Sequence, residues 1–147
     1  MADTAESRLK ALGIELPPVP APQANYVPTV RVGNLLFISG QVSNIPGEKY
    51  VGKLGENMTV EEGQKAARAC AITVLANLKT ATGDLEKVKR LVKLTGFVNC
   101  TGSFTDAHKV INGCSDLLVE VLGERGRHAR SAVGMASLPL GFAVEVE

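Results

Sequence analysis

The C-terminal stretch Arg127–Glu147, "RHARSAVGMASLPLGFAVEVE", decides how the chain is built. Ser131 to Ser137 is a run of small and apolar residues. From Phe142 onward, Phe142, Val144 and Val146 alternate with Ala143, Glu145 and Glu147, the period of a strand with one buried face. Between them "LPLG" carries the proline and glycine that end and redirect a strand. The stretch therefore reads as two strands joined in a hairpin-like turn, with Glu145 on the solvent-facing side of an edge strand beside Glu147. Arg130 stands apart. Small apolar residues follow it at once, so its stem joins a strand while its planar guanidinium seeks a bidentate anion such as a small carboxylate.

Outward from this stretch, Thr105 to Leu122 places Ala107, Val110, Ile111, Cys114, Leu117, Leu118 and Val121 on one helical stripe, with Gly123 as the stop. His108 sits at the margin of that stripe. "VKRLVKLTGFVNC", Val88 to Cys100, is β-branched and apolar without a 3.6-residue period, which predicts a long strand. An earlier helix begins at the capping box Thr59-x-x-Glu62, carries Val60, Ala67, Cys70, Val74, Leu75 and Leu78, and ends before Gly83. "YVPTVRVGNLLFISGQV", Tyr26 to Val42, predicts a hairpin around Gly33-Asn34. Its second strand, Leu35 to Ile38, is apolar on both parities, as a central strand covered on both faces would be. Tyr26, Ser39 and Gln41 read as ordinary strand-end residues, Ser43 to Asn57 as a polar connection with a short strand at "KYVGKL".

At the other end, Thr4 to Leu12 predicts a short helix, followed by an extended arm holding Pro17, Pro18, Pro20 and Pro22. Residues 1–25 thus form a helix and proline-rich arm, and 26–147 a single domain. The order β-β-(β)-α-β-α-β-β is that of an α+β layer, two helices on one face of a sheet. The other face, with residues such as Ala132, Leu36 or Phe37, needs cover, and self-association in a closed ring supplies it.

Composition excludes several classes. The chain has 147 residues, 45% hydrophobic and 21% charged, within the range of one globular domain. Sixteen Lys and Arg against fifteen Asp and Glu leave a net charge of +1, and the six Phe and Tyr are not interleaved with a basic stripe, which disfavours nucleic acid. The three cysteines, Cys70, Cys100 and Cys114, match neither a disulfide framework nor metal-ligand spacing, and read as small buried hydrophobes of a reducing, cytoplasmic protein. No apolar run is long enough to span a membrane, and the N-terminus lacks a secretory leader. Phosphate-binding, dinucleotide-binding, nucleophile-elbow and zinc motifs are absent, so no cofactor and no metal are expected. Arg125, Arg127 and His128 read as a solvated loop after the second helix.

Taken together, "VGNLLFISGQV", "GDLEKVKRLVKLTGFVN", "ARSAV" and "LPLGFAVEVE" resemble the YjgF/RidA family of reactive-intermediate deaminases, also labelled endoribonuclease L-PSP. The resemblance runs from about Tyr26 to the C-terminus, with the segment before it looking like a subgroup's extension. It implies an α+β, chorismate-mutase-like two-layer sandwich with a mixed sheet, assembled as a homotrimer with clefts between subunits. It further implies that Arg130 clamps the carboxylate of a small 2-imino or 2-enamino acid, that Glu145 activates the attacking water, and that Tyr26, Ser39 and Gly40 line the pocket. Ala132 stands where well-known members have cysteine and His108 where many have asparagine, so both enter the substrate-binding set. The product would be a 2-oxo acid, with ammonium. A trimeric protein that binds carboxylate metabolites without turnover is the alternative, and a ribonuclease the third.

Overall fold

Each long helix starts and stops where local chemistry requires it. The structure, a computed structural model, describes residues 2–22 and 24–147. Helix α1, Ala5–Ala11, opens on Thr4, whose hydroxyl accepts from the Ser7 amide at 3.1 Å while the Ser7 hydroxyl accepts from the Thr4 amide at 3.0 Å. Helix α2, Val60–Thr82, opens on the predicted box: Thr59 Oγ1 accepts from the Glu62 amide, and the Glu62 carboxylate accepts from the Thr59 amide. It ends at Gly83, at φ 79°, the left-handed conformation that glycine adopts most readily. Helix α3 is Ala107–Leu122, stopped by Gly123.

A hairpin of β1, Thr29–Val32, and β2, Leu35–Ile38, turns at Gly33 and forms a two-stranded sheet of its own. The strands β3, Gln41–Val42, β6, Lys93–Asn99, β7, Ala129–Met135, and β8, Val144–Val146, make a four-stranded sheet in the order β3-β8-β6-β7. A small hairpin of β4, Asn44–Ile45, and β5, Glu48–Lys49, lies outside it. The sheet is mixed: β6 and β7 run parallel, while β8 is antiparallel to both β6 and β3.

This topology corrects four sequence expectations. The two C-terminal strands do not pair with each other, because β6 lies between them. Helix α3 is the crossover that makes β7 a parallel neighbour of β6, and the helical turn Pro139–Gly141 then carries the chain across to the far side of β6. Second, the strand expected over 88–100 begins only at Lys93. The backbone before it is bonded elsewhere: Arg125 Nη1 donates to the carbonyls of Leu85 and Val88, at 3.2 and 2.8 Å, and the Leu91 amide donates to the Arg125 carbonyl. Arg125 is thus a tie between segments rather than a solvated loop residue. Third, β2 is not central within the chain; Leu36 and Ile38 pack on the core while Leu35 and Phe37 are 50% and 59% exposed. Fourth, β8 is an inner strand, so Glu145 is half-buried and not on a sheet edge.

Register separates two faces. Gly96 pairs with both Ala132 and Val146, so Leu94, Gly96, Val98, Arg130, Ala132, Val144 and Val146 leave one face, on which α2 and α3 pack. The layers are close. A Cβ on Gly96 would meet Ile111 Cδ1 at 2.5 Å, and one on Gly113 of α3 would meet the Gln64 carbonyl oxygen of α2 at 2.1 Å. Cys70, Cys100 and Cys114 are free and buried, as expected, and burial pushes the Cys114 thiol up to about 12. Thr95, Phe97, Ser131, Val133, Met135 and Glu145 leave the opposite face, and among the described residues no helix covers it. The apolar residues expected there are therefore partly wrong: Ala132 and Leu36 pack on the core, and Val133 and Met135 are the ones exposed. Helix α1 buries Ala5 and Leu9 in the core and is tied to the rest by the Ala5 amide, 2.7 Å from Glu86 Oε1. Among the described residues no helix is long and apolar enough to cross a membrane.

Candidate functional site

Arg130, second residue of β7, stands on the edge strand and directs its guanidinium along α3. Nη1 donates to Asn112 Oδ1 at 2.9 Å and to Ser115 Oγ at 3.1 Å, and Nη2 donates to the His108 carbonyl at 3.2 Å. Positions 108, 112 and 115 lie at four- and three-residue steps, which stacks them on one side of the helix. Of the five guanidinium hydrogens, these bonds use both on Nη1 and one on Nη2. Nε–H and the other Nη2–H make no hydrogen bond among the described residues, and they sit on the two nitrogens that form the side-on edge of an arginine fork.

Glu145 occupies the middle of β8, paired with Phe97 on one side and Val42 on the other. Its carboxylate lies directly against Gly40: a Cβ at that position would be 2.1 Å from Glu145 Oε1, so only glycine leaves the acid where it is. Burial, and secondarily repulsion from Glu147, raise its pKa above the ordinary carboxylate value. Next to Gly40, Ser39 donates through Oγ to the Val27 carbonyl at 2.7 Å and through its amide to the Pro28 carbonyl at 2.9 Å. Those bonds hold the segment carrying Tyr26, whose side chain is largely exposed, at the same strand end.

The residues singled out in the sequence thus fall into two groups. Ser39, Gly40 and Glu145 come together, with Tyr26 on a segment tied to Ser39. Arg130 and His108 come together on the other side, although the His108 contact is through its carbonyl and its imidazole is exposed. Ala132 packs against the core between α3 and the sheet. Within one chain Arg130 and Glu145 leave opposite faces of the sheet, with β6 between their strands. Asn112 and Ser115 escaped the sequence reading; their only signal was helical spacing from His108. Two grooves, of about 740 and 630 Å³, flank the N-terminal arm, and neither is lined by Arg130 or Glu145.

A family model described as "YjgF/chorismate_mutase-like, putative endoribonuclease" matches residues 6–146. Protein TCP17 of Trypanosoma cruzi is 52% identical over 143 residues, covering 96% of this chain and 89% of that protein. The crystal structure of Atu1372 from Agrobacterium tumefaciens, of unknown function, superposes with a TM-score of 0.90 at 49% identity, covering 98% of this chain and 90% of that one. RidA from an Antarctic Psychrobacter gives a TM-score of 0.58 at 28% identity over 87% and 89% of the two chains. The match reaches back through most of α1 and the proline arm, and the three helices with their mixed sheet agree with it: the chain belongs to the YjgF/RidA family.

Proposed function

We propose that this protein hydrolyses small 2-imino and 2-enamino acids to 2-oxo acids and ammonium, as a homotrimer whose clefts join the Arg130 group of one subunit to the Glu145 group of the next. The observation that carries the proposal is the Arg130 fork, held through Nη1 and one Nη2 hydrogen, with Nε–H and the second Nη2 hydrogen unbonded among the described residues on the two nitrogens of its side-on edge. A carboxylate takes two parallel charge-assisted hydrogen bonds from such an edge. The placement of Glu145 on the opposite face supports a second subunit completing the site, and the exposed apolar side chains of β2 and β7 supply a surface for it.

The chemistry needed is modest. With the carboxylate held, the imine carbon is already electrophilic and water adds to it. Glu145, whose raised pKa suits it to proton transfer, accepts a proton from that water and returns it to the nitrogen. The hydroxyl proton of the resulting carbinolamine then passes to its nitrogen, the C–N bond breaks with its electron pair going to nitrogen, ammonia leaves and the carbonyl forms. An enamine enters the same route after protonation at its β-carbon.

One observation favours a second reading, carboxylate capture without turnover: among the described residues all three hydrogen-bond partners of Arg130 are neutral acceptors, and none is an acidic or basic side chain. A ribonuclease has weaker support, since a net charge of +1 provides little field for a polyanion. Pyruvate release from 2-aminoacrylate generated in situ tests the proposal. Wild type should accelerate it, and Arg130→Ala should lose about 100-fold or more in kcat/KM, the worth of a charged, bidentate contact. No acceleration across several amino-acid-derived imines, together with binding of 2-oxo acids, would select the capture reading.

A further inference from the structure

Arg130 is held without a counter-charge, and one of its anchors is itself held. Ser115 Oγ lies 2.9 Å from His128 Nε2, and His128 Nδ1 lies 2.7 Å from the Gly126 carbonyl. What each group can donate or accept sets the direction of every bond. A carbonyl only accepts, so Nδ1 carries a hydrogen. In the neutral ring Nε2 is then the acceptor, and the hydrogen between it and Ser115 comes from the serine. With that hydrogen directed to His128, Ser115 offers only lone pairs to Arg130, whose Nη1 donates at 3.1 Å. The loop is fitted to this task. A Cβ on Gly126 would be 2.4 Å from the Leu118 carbonyl oxygen, so glycine lets the loop lie against α3 and bring its carbonyl under the imidazole.

We propose that Ser115 and His128, with Asn112, are positioning residues: they set the rotation of the Arg130 guanidinium so that Nε and Nη2 present one fixed edge to a substrate carboxylate. This rests on Arg130 being the carboxylate clamp. A free arginine gives up rotamer entropy when it is immobilised, and anchoring the guanidinium beforehand removes part of that cost from binding. Neutral anchors matter as much. An aspartate or glutamate at 112 or 115 would hold the guanidinium equally well but would compete with the substrate for its charge. Ser115 and Asn112 fix direction and leave the cation to the ligand. His128 acts one step further out, by taking the serine hydrogen and keeping the lone pairs turned inward.

The test uses the full-length protein, steady-state turnover of 2-aminoacrylate, and calorimetric binding of pyruvate as the probe. Ser115→Ala and His128→Leu should raise both KM and the pyruvate Kd about three- to tenfold, the worth of one ordinary net hydrogen bond. Their kcat should stay within about twofold, because the lost contact serves ground state and transition state alike. His128→Gln offers an amide oxygen to Ser115 in place of Nε2 and should restore a KM near that of wild type. A purely structural role would lower thermal stability without separating Gln from Leu. Nitrogen-15 spectra should show the His128 hydrogen on Nδ1; a hydrogen on Nε2 would reverse the serine bond and overturn the proposal. If Arg130→Ala abolishes pyruvate binding while Ser115→Ala and His128→Leu bind as wild type does, positioning fails and the clamp stands. If Arg130→Ala itself binds pyruvate normally, the clamp fails first.

Discussion

The two faces of the four-stranded sheet solve different problems with the same alternation. On the face toward α2 and α3, small residues bring layers into contact: Gly96 lies under Ile111, and Gly113 lets the helices meet backbone against backbone. Fully buried Val98, Val144 and Val146 fill the space between. On the other face the same strands present half-buried Phe97, exposed Val133 and Met135, and the acid Glu145 among them. One face is finished by the chain that makes it. The other carries apolar surface that the chain leaves open, and it carries the half-buried carboxylate. The difference teaches that folding and the proposed chemistry use opposite sides of a single sheet, and that each can be disturbed separately.

The largest effect is expected on the finished face. Gly113→Ala improves intrinsic helix propensity by about 1 kcal/mol, yet its methyl would sit 2.1 Å from a backbone oxygen of α2 that cannot rotate away. Overpacking wins, and a net loss of about 2 kcal/mol should appear in urea unfolding. A neutral or stabilised variant would show that α2 and α3 can separate without cost. Val133→Asp on the unfinished face, together with Phe37→Asp on the exposed side of β2, should leave the helical circular-dichroism signal in place while reducing the mass seen by light scattering from the three chains of the proposed trimer to one. A particle of unchanged mass would remove this face from the interface. The smallest effect concerns Glu145. Its folded pKa lies above the ordinary value of 4.5, so ionisation is costlier in the folded chain, and its contribution is fully favourable only below that value and is lost as pH rises through the raised pKa. Glu145→Gln should therefore melt a few degrees higher than wild type at pH 7 and match it near pH 4; equal melting at both would mean that water solvates the acid fully.

How much of this was legible differs by element. The capping box at Thr59, the stripes of α2 and α3, and the Gly83 and Gly123 stops follow from bonds within a few residues, so α2 and α3 emerged close to their observed bounds. The hairpin at Gly33 did as well, for the same reason. Pairing of β7 and β8 was misread because "LPLG" looks local, whereas insertion of β6 between them depends on a crossover some thirty residues long that adjacency cannot reveal. The candidate site was half legible. Arg130 stood out by context and by family resemblance, Glu145 by the resemblance alone, and Gly40 lies against Glu145 in the folded chain. The anchors of Arg130 did not stand out, since Asn112, Ser115 and His128 are common polar residues whose meaning comes only from facing the same guanidinium.

By itself the sequence determined the helices, their caps, the α+β order and the family, because these rest on periodicity, short-range hydrogen bonds and recurring motifs. Only the tertiary structure decided which strands are neighbours, that Arg130 and Glu145 leave opposite faces, and which neutral acceptors hold the guanidinium. Those depend on register, where a shift of one residue moves a side chain to the other side of the sheet.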